Sequence, residues 1–256
     1  VSGKLVPQDP KDEPASELLK KIKAEKEKLI REGKIRKDKP LPPIAKEEIS
    51  YELPIGWEWI RVSDISLPME NLNIHSELKV DEIINYVDID SIDSKRHEIL
   101  EPKRTTVDKL SSRARRVLNK GDIIYSLVRP YLQNIAIINL DMQNLIGTTG
   151  LFVIKPIKIN REYLFYYLLS PYILVKHKEA LKGFNSPGIN VSYFEKELIP
   201  LPSLNEQKRI VQKVDQLMKL CDELEEKVKE NQKNSELLMD AVLREAFEAK
   251  TWNETK

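Results

Sequence analysis

The sequence predicts an α+β fold: one globular mixed α/β domain flanked by helices that form an antiparallel coiled coil. The strand-like segments come in neighbouring pairs instead of alternating with helices, which disfavours a doubly wound sheet. Two helical segments follow these strands, split at a proline. A long heptad pattern without Gly or Pro then closes the chain. With 256 residues, 41% of them hydrophobic, the chain is long enough to bury a real core.

Taken in order, residues 1–44 read as a lead-in and a first helix. Pro7, Pro10 and Pro14 make an extended approach, with Ser16 as the cap. SELLKKIKAEKEKLIR (16–31) places Leu18, Leu19, Ile22, Leu29 and Ile30 along one narrow side, and so thin a stripe needs a partner. Gly33 ends the helix, and Pro40, Pro42 and Pro43 stiffen the connector that follows.

Residues 45–202 form the predicted globular domain. INYVDID (84–90), DIIYSLV (122–128), NIAIINL (134–140) and TTGLFVIK (148–155) have the β-branched and aromatic content of strands. The alternation in WEWIRV (57–62) is also strand-like, so Trp57 and Trp59 read as packing residues and not as stacking platforms. REYLFYYLLS (161–170) and PYILVKHKEAL (171–181) read as helices, with Pro171 suited to the first turn of the second.

Residues 203–256 read as one long helix. Ser203 and Glu206 have capping-box spacing at its start. Alternating four- and three-residue steps then give Ile210, Val214, Leu217, Cys221, Leu224, Val228, Asn231, Ser235, Leu238 and Val242. This is a heptad seam with a polar interruption, and it must meet another helix.

Composition excludes several classes of function. The chain has no GxxxxGK[ST] loop and no GxGxxG, so nucleotide hydrolysis and dinucleotide binding lack a phosphate cradle. His75, His97 and His177 stand apart from any nucleophile motif and read as ordinary surface histidines, and no Cys/His group has metal-ligand spacing. The acids Asp81, Glu82, Asp88, Asp90 and Asp93 lack the ligand order of a calcium loop and read as solvated strand edges. No apolar run reaches the length of a membrane span, no signal peptide is recognisable, and a single cysteine fits a reducing cytoplasm.

A formal net charge of +1 argues against a globally basic nucleic-acid binder, but the charge is unevenly distributed. Residues 64–94 carry eight acids against one lysine, net −7, and residues 95–131 carry ten Lys and Arg against four acids, net +6. The basic stretch holds Arg113, Arg115 and Arg116 and ends at Arg129, Pro130 and Tyr131. Guanidinium forks suit phosphate and guanine, and tyrosine can stack, so the stretch is either a DNA surface or a solvated charged face. KGFNSPGIN (182–190), with Lys182, Asn185 and Ser186, either brings amides to phosphates or is a helix stop followed by a turn.

Five separated motifs resemble, in order, the specificity subunits of type I restriction-modification systems. GKLVPQDPKDEPASELLKKIKAEKEKL (3–29) resembles the family's central conserved helix, and LPIGWEWIRVSDI (53–65) the opening of a target recognition domain. KGDIIYSLVRP (120–130), YLFYYLLSP (163–171) and GINVSYFEKELIPLPSLNEQKRIVQKVDQL (188–217) are similar to its middle strand, closing helix and distal conserved helix. The resemblance covers nearly the whole chain but only half of the usual two-domain architecture. It implies either a short subunit that homodimerises or one half of a longer one.

The resemblance implies a non-catalytic subunit that reads one part of a bipartite double-stranded DNA site and positions methyltransferase and restriction/translocase subunits. S-adenosylmethionine and ATP would then belong to the partners, leaving this chain without cofactor or metal. Arg113, Arg115, Arg116, Arg129, Tyr131, Lys182, Asn185 and Ser186 are the expected DNA contacts. Ile210, Val214, Leu217, Leu224, Val228, Leu238 and Val242 are expected to bury against Leu19, Ile22 and Leu29, within the chain or across a dimer. The competing reading is a coiled-coil scaffold whose globular domain binds protein, and salt-dependent DNA binding separates the two.

Overall fold

The computed structural model describes residues 3–37, 41–183 and 187–253. It divides into two compact units, Val1–Val211 and Gln212–Lys256. The first unit opens with α1 (Ala15–Arg31), one residue earlier than the sequence predicts. Pro14 occupies the cap position without a side-chain bond, and the Ala15 N–H donates instead to Gly56 O at 2.9 Å. A tertiary carbonyl therefore satisfies the first N–H of the helix, and Ser16 lies within its first turn and not at its cap. The helix stops where expected, with Gly33 at φ 69° and Lys34 N–H donating to Leu29 O.

Next come β1 (Glu58–Arg61), the single turn α2 (Val62–Ile65), β2 (Ser66–Leu67) and the single turn α3 (Ile74–Glu77). Six strands then precede a hairpin-like corner: β3 (Ile83–Val87), β4 (Ile92–Asp93), β5 (Glu98–Ile99), β6 (Lys103–Thr106), β7 (Ala114–Val117) and β8 (Ile123–Ser126). Beyond it lie β9 (Ile135–Ile137), β10 (Leu145–Thr148) and β11 (Leu151–Pro156). The helices α4 (Arg161–Leu168), α5 (Pro171–Glu179) and α6 (Val191–Glu195) lead to β12 (Leu198–Leu201) and α7 (Leu204–Asn253). Pro171 stands in the first turn of α5, and Ser170 caps it by accepting from Ile173 N–H.

Two four-stranded sheets, β6-β3-β10-β7 and β2-β11-β8-β9, make the body, and β1 pairs with β12. All pairings are antiparallel except β3 with β10. The segment 148–155, read as one strand, divides at Thr149 and Gly150 and serves a different sheet on each side. The two sheets meet through Val87 and Leu145 on one side and Ile124, Ala136, Leu151 and Val153 on the other. The opposite face of β8 and β11 carries Ile123, Tyr125, Phe152 and Ile154, which pack against α1, α4 and α6. Burial on both faces explains why DIIYSLV shows no clean alternation.

Several polar groups tie this layer together. Tyr163 and Tyr167 of α4 donate to Pro200 O at 2.6 Å and Leu198 O at 2.8 Å. Arg61, nearly fully buried, makes a two-pronged bond to Glu48 and a third to Lys196 O. Ser203 Oγ accepts from Glu206 N–H at 3.0 Å, half of the predicted capping box. The Glu206 carboxylate accepts instead from Trp57 Nε1 at 2.9 Å, so Trp57 is a buried packing residue. Trp59 meets Tyr51 edge-on.

The histidine reading needs correction at two positions: His97 is half-buried, its ring edge-on to Phe165 and its Nδ1 buried, and His177 lies in the core. His75 is exposed, but His177 is fully buried, its Nδ1 2.7 Å from Tyr125 Oη and its Nε2 3.1 Å from Glu197. It lies on the inner face of a helix whose weak apolar pattern did not mark an inside. Burial would raise the Glu197 carboxyl, yet the His177 hydrogen bond and the Lys176 charge hold it below its ordinary value. Among the described residues no helix is long and apolar enough to cross a membrane, and no acid or histidine group has metal-site geometry.

Candidate nucleic-acid interface

The corner where β10 passes into β11 gathers the basic loops. Thr149 N–H donates to Arg113 O at 2.8 Å, fixing the residue just before β7. Leu127 N–H donates to Gly150 O at 2.9 Å, fixing the exit of β8. Ser126 N–H donates to Asn134 O, which brings the start of β9 alongside. Three chain segments far apart in sequence thus end at one place because antiparallel pairing aligns their termini.

The loop after β8 is tightly formed. Arg129 sits at φ 48° and Gln133 at φ 53°, bracketing the short 3-10 turn Pro130–Leu132. Left-handed backbone at two non-glycine residues costs energy, and such conformations gather at functional loops. Three bonds hold it: Arg129 N–H to Pro187 O at 2.8 Å, Ile189 N–H to Leu127 O at 2.9 Å and Gln133 Nε2 to Leu169 O at 3.1 Å. Gly188 makes the crossing possible, since a Cβ there would stand 2.6 Å from Leu127 O. Lys182 and Gly188 exchange backbone bonds at 3.0 and 2.9 Å, so the loop predicted from 182 onward closes on itself beside Arg129.

A cleft of about 420 Å³ opens here, lined by Arg113, Arg129, Ser111, Asn134, Tyr86 and Thr148. Asp88 and Asp90 also reach it. The Asp88 carboxylate is engaged by Lys103 at 2.7 Å and by Ser91 N–H. Burial works against its charge, but Lys103 and Ser91 outweigh it and hold the carboxyl below its usual value. Lys103 therefore offsets the Asp88 charge, and exposed Asp90 stands in the cleft with Arg113 and Arg129.

The structure brings together Arg113, Arg129, Tyr131 and Lys182, all exposed, around this cleft and its adjoining loops. Arg115 is exposed on β7 but outside the cleft, its Nε donating to Ser112 O at 2.8 Å. Arg116 departs from the expected set: it is 8% exposed and turned inward, donating to Asn71 Oδ1 at 2.6 Å. Successive strand residues face opposite sides, so a run of basic residues cannot keep every member on one surface. Asn185 and Ser186 lie outside the described residues. Asn134 and Tyr86 were not singled out from sequence, and only the pairing of their strands places them in the cleft.

The expected helix-interface positions divide. Leu19 and Ile210 pack half-buried against the core of the first unit, and Ile22 is 1% exposed within it. Ile22 is thus enclosed within the core of its own chain. Leu29 and Val214 are half-buried. Leu217, Leu224, Val228, Leu238 and Val242 are exposed on α7.

The structure is a mixed α/β domain whose cationic loops gather at one corner of two stacked sheets. The family model described as "Type I restriction modification DNA specificity domain" matches residues 54–233, more than half of the chain. The chain belongs to that family. It is 39% identical to the EcoAI specificity subunit of Escherichia coli over 235 residues, which is 88% of this chain and 39% of the relative. It is also 39% identical to the EcoEI specificity subunit of Escherichia coli, covering 88% of this chain and 38% of that protein. The HsdS subunit from Thermoanaerobacter tengcongensis superposes with a TM-score of 0.67 at 37% identity, over 75% of this chain and 50% of the other. A chain from a structural study of type I restriction-modification complex assembly gives 0.68 at 38% identity, over 77% and 50%. The chain therefore spans about two fifths of the curated relatives and half of the solved structures it matches.

Proposed function

We propose that this chain is a sequence-specific DNA-recognition part of a type I restriction-modification complex, reading one part of a bipartite double-stranded target. The observation that carries this reading is the gathering of Arg113, Arg129 and Lys182 at one corner of the sheets. Guanidinium groups there can bind phosphate or the O6 and N7 atoms of guanine, and Asn134 can pair with adenine. Phosphate contacts set register, and the cleft residues discriminate bases.

In this reading the chemistry belongs to methyltransferase and restriction/translocase partners, which use S-adenosylmethionine and ATP. This chain binds neither and works in the cytoplasm on its DNA. The exposed apolar positions of α7 support a coiled-coil role. Such a seam would pair two recognition units, either as a homodimer or within one longer chain, and help seat the methyltransferases.

Binding of the chain with a methyltransferase partner to duplex DNA tests the reading. Affinity should fall steeply with salt and be far tighter for one bipartite sequence. Absence of any DNA affinity at low salt would overturn it. The methylated motif tells the two assemblies apart: a palindromic bipartite site means two identical units, a non-palindromic one a second, different unit.

A further inference from the structure

We propose that Asp90 is a specificity-determining residue that works with Arg113, an inference that rests on the DNA-recognition role of their cleft. Together they read one G·C base pair in the major groove, Arg113 on guanine and Asp90 on the N4 amino group of cytosine. Both residues line the cleft, and both are exposed. They reach it from separate segments that meet at Gly150, where a Cβ would stand 3.1 Å from Ile89 Cδ1 and 3.7 Å from Arg113 Nη2. The turn that carries Asp90 and the Arg113 fork therefore converge on the corner where β10 passes into β11.

The acids of this turn have different surroundings. Asp88 is committed within the chain: its carboxylate accepts from Ser91 N–H at 3.1 Å and meets Lys103 at 2.7 Å, which fixes the 3-10 turn Ile89–Ser91. Asp90, read from sequence as a solvated strand edge, stands in the middle of that turn. Among the described residues it has no ion pair or side-chain hydrogen bond, and Lys103 acts on it through charge alone. Arg113 is bonded through its backbone only, its N–H donating to Ser111 Oγ and its O accepting from Thr149 N–H. The cleft thus presents a donor fork and an acceptor side by side, each open to a ligand.

Major-groove chemistry then selects the base pair. A guanidinium fork needs two adjacent acceptors on one base edge, and guanine offers them at O6 and N7. In an A·T pair the adenine N6 donor separates the N7 and O4 acceptors, so the fork finds no such edge. Beside guanine O6 lies the cytosine N4 amino donor, and an ionised carboxylate is an acceptor only. Facing phosphate instead, the Asp90 charge would weaken binding to every sequence. An acid in a cationic DNA cleft therefore acts by selection: it is favourable where a base donor meets it and unfavourable elsewhere.

The test measures binding of the chain with its methyltransferase partner to the specific duplex, to each single-pair variant of it and to an unrelated duplex. Asp90→Ala and Arg113→Ala should relax preference at the same G·C pair, each by about tenfold or more. On the unrelated duplex the two should part, with Asp90→Ala binding more tightly than the wild type and Arg113→Ala more weakly. N4-methylcytosine at that pair keeps base pairing but replaces the groove-facing N–H with a methyl group. It should weaken the wild-type chain by about tenfold and leave Asp90→Ala unchanged. This modified duplex, read on the wild-type chain, decides the matter if a variant does not fold. Full discrimination by Asp90→Ala at every position, relaxation at an A·T pair or at a pair that Arg113→Ala leaves untouched, or indifference of the wild type to N4-methylcytosine would overturn the proposal and leave the DNA reading standing. A wild-type complex with no sequence preference would overturn both.

Discussion

Arg115 and Arg116 are neighbours in sequence and opposites in environment: one is exposed on β7, the other buried against Asn71. The cluster RARR was legible as basic, but which of its members reach solvent depends on strand register, which no local pattern supplies. Arg129 is the clearest single probe of the DNA reading. Replacing Arg129 with Ala should weaken specific binding by ~1–3 kcal/mol and relax preference at one base position if it reads a base. If it touches phosphate, the loss should be uniform across sequences with a shallower salt slope. Competition binding with single-position variants of the target duplex measures both, and unchanged affinity would exclude Arg129 from contact.

Among elements, the junction of β8, β11 and α6 holds the layer that positions the Arg129 loop. Phe194 of α6 is fully buried, with its ring centroid 4.7 Å from that of Tyr125 and 4.5 Å from that of Phe152. Phe194→Ala should cost about 3–5 kcal/mol, read as a lowered urea midpoint with an unchanged slope. The long helix behaves differently, because its seam positions Leu217 and Leu224 are exposed. Replacing both with Glu should leave the unfolding of the first unit almost untouched, since exposed substitutions usually change stability by under about 0.5 kcal/mol. It should nevertheless reduce the mass in solution or abolish methyltransferase capture, and persistence of both would refute the seam. The heptad was visible because a helix repeats locally; the partner face of Ile22 was not, because a stripe does not say which surface covers it.

At the scale of the molecule, two carboxyls should shape stability against pH in opposite directions. The hydrogen bond from Arg61 holds Glu48 down at about 2, below its ordinary 4.5. The stability it contributes is complete above about pH 4.5 and is lost as pH falls toward 2. Burial pushes Asp122 up to about 6, against the Asn119 N–H bond and the Lys155 charge. Its native form takes a proton before the unfolded form does, so stability from this group rises as pH falls from above 6 toward 3.8. Urea midpoints across pH 2–8 should therefore flatten near pH 4–6 in Asp122→Asn and lose part of the acid limb in Glu48→Gln. Unchanged profiles in both variants would remove these groups from the balance.

The kinds of element and their order can be read along the chain: a first helix ended by Gly33, a strand-rich block, two helices parted at Pro171, and a helix opened by Ser203. It also carried the ordered motifs of the family, because periodicity, caps and short motifs are local properties that neighbours in the chain suffice to define. The rest came from the packing of segments distant in the chain. It split 148–155 between two sheets, enclosed His177, turned Arg116 inward and laid Gly188 against Leu127 beside Arg129. Each of these depends on what a second layer covers, and burial is a property of the pairing of distant segments, to which a one-dimensional pattern of charges and apolar residues is blind.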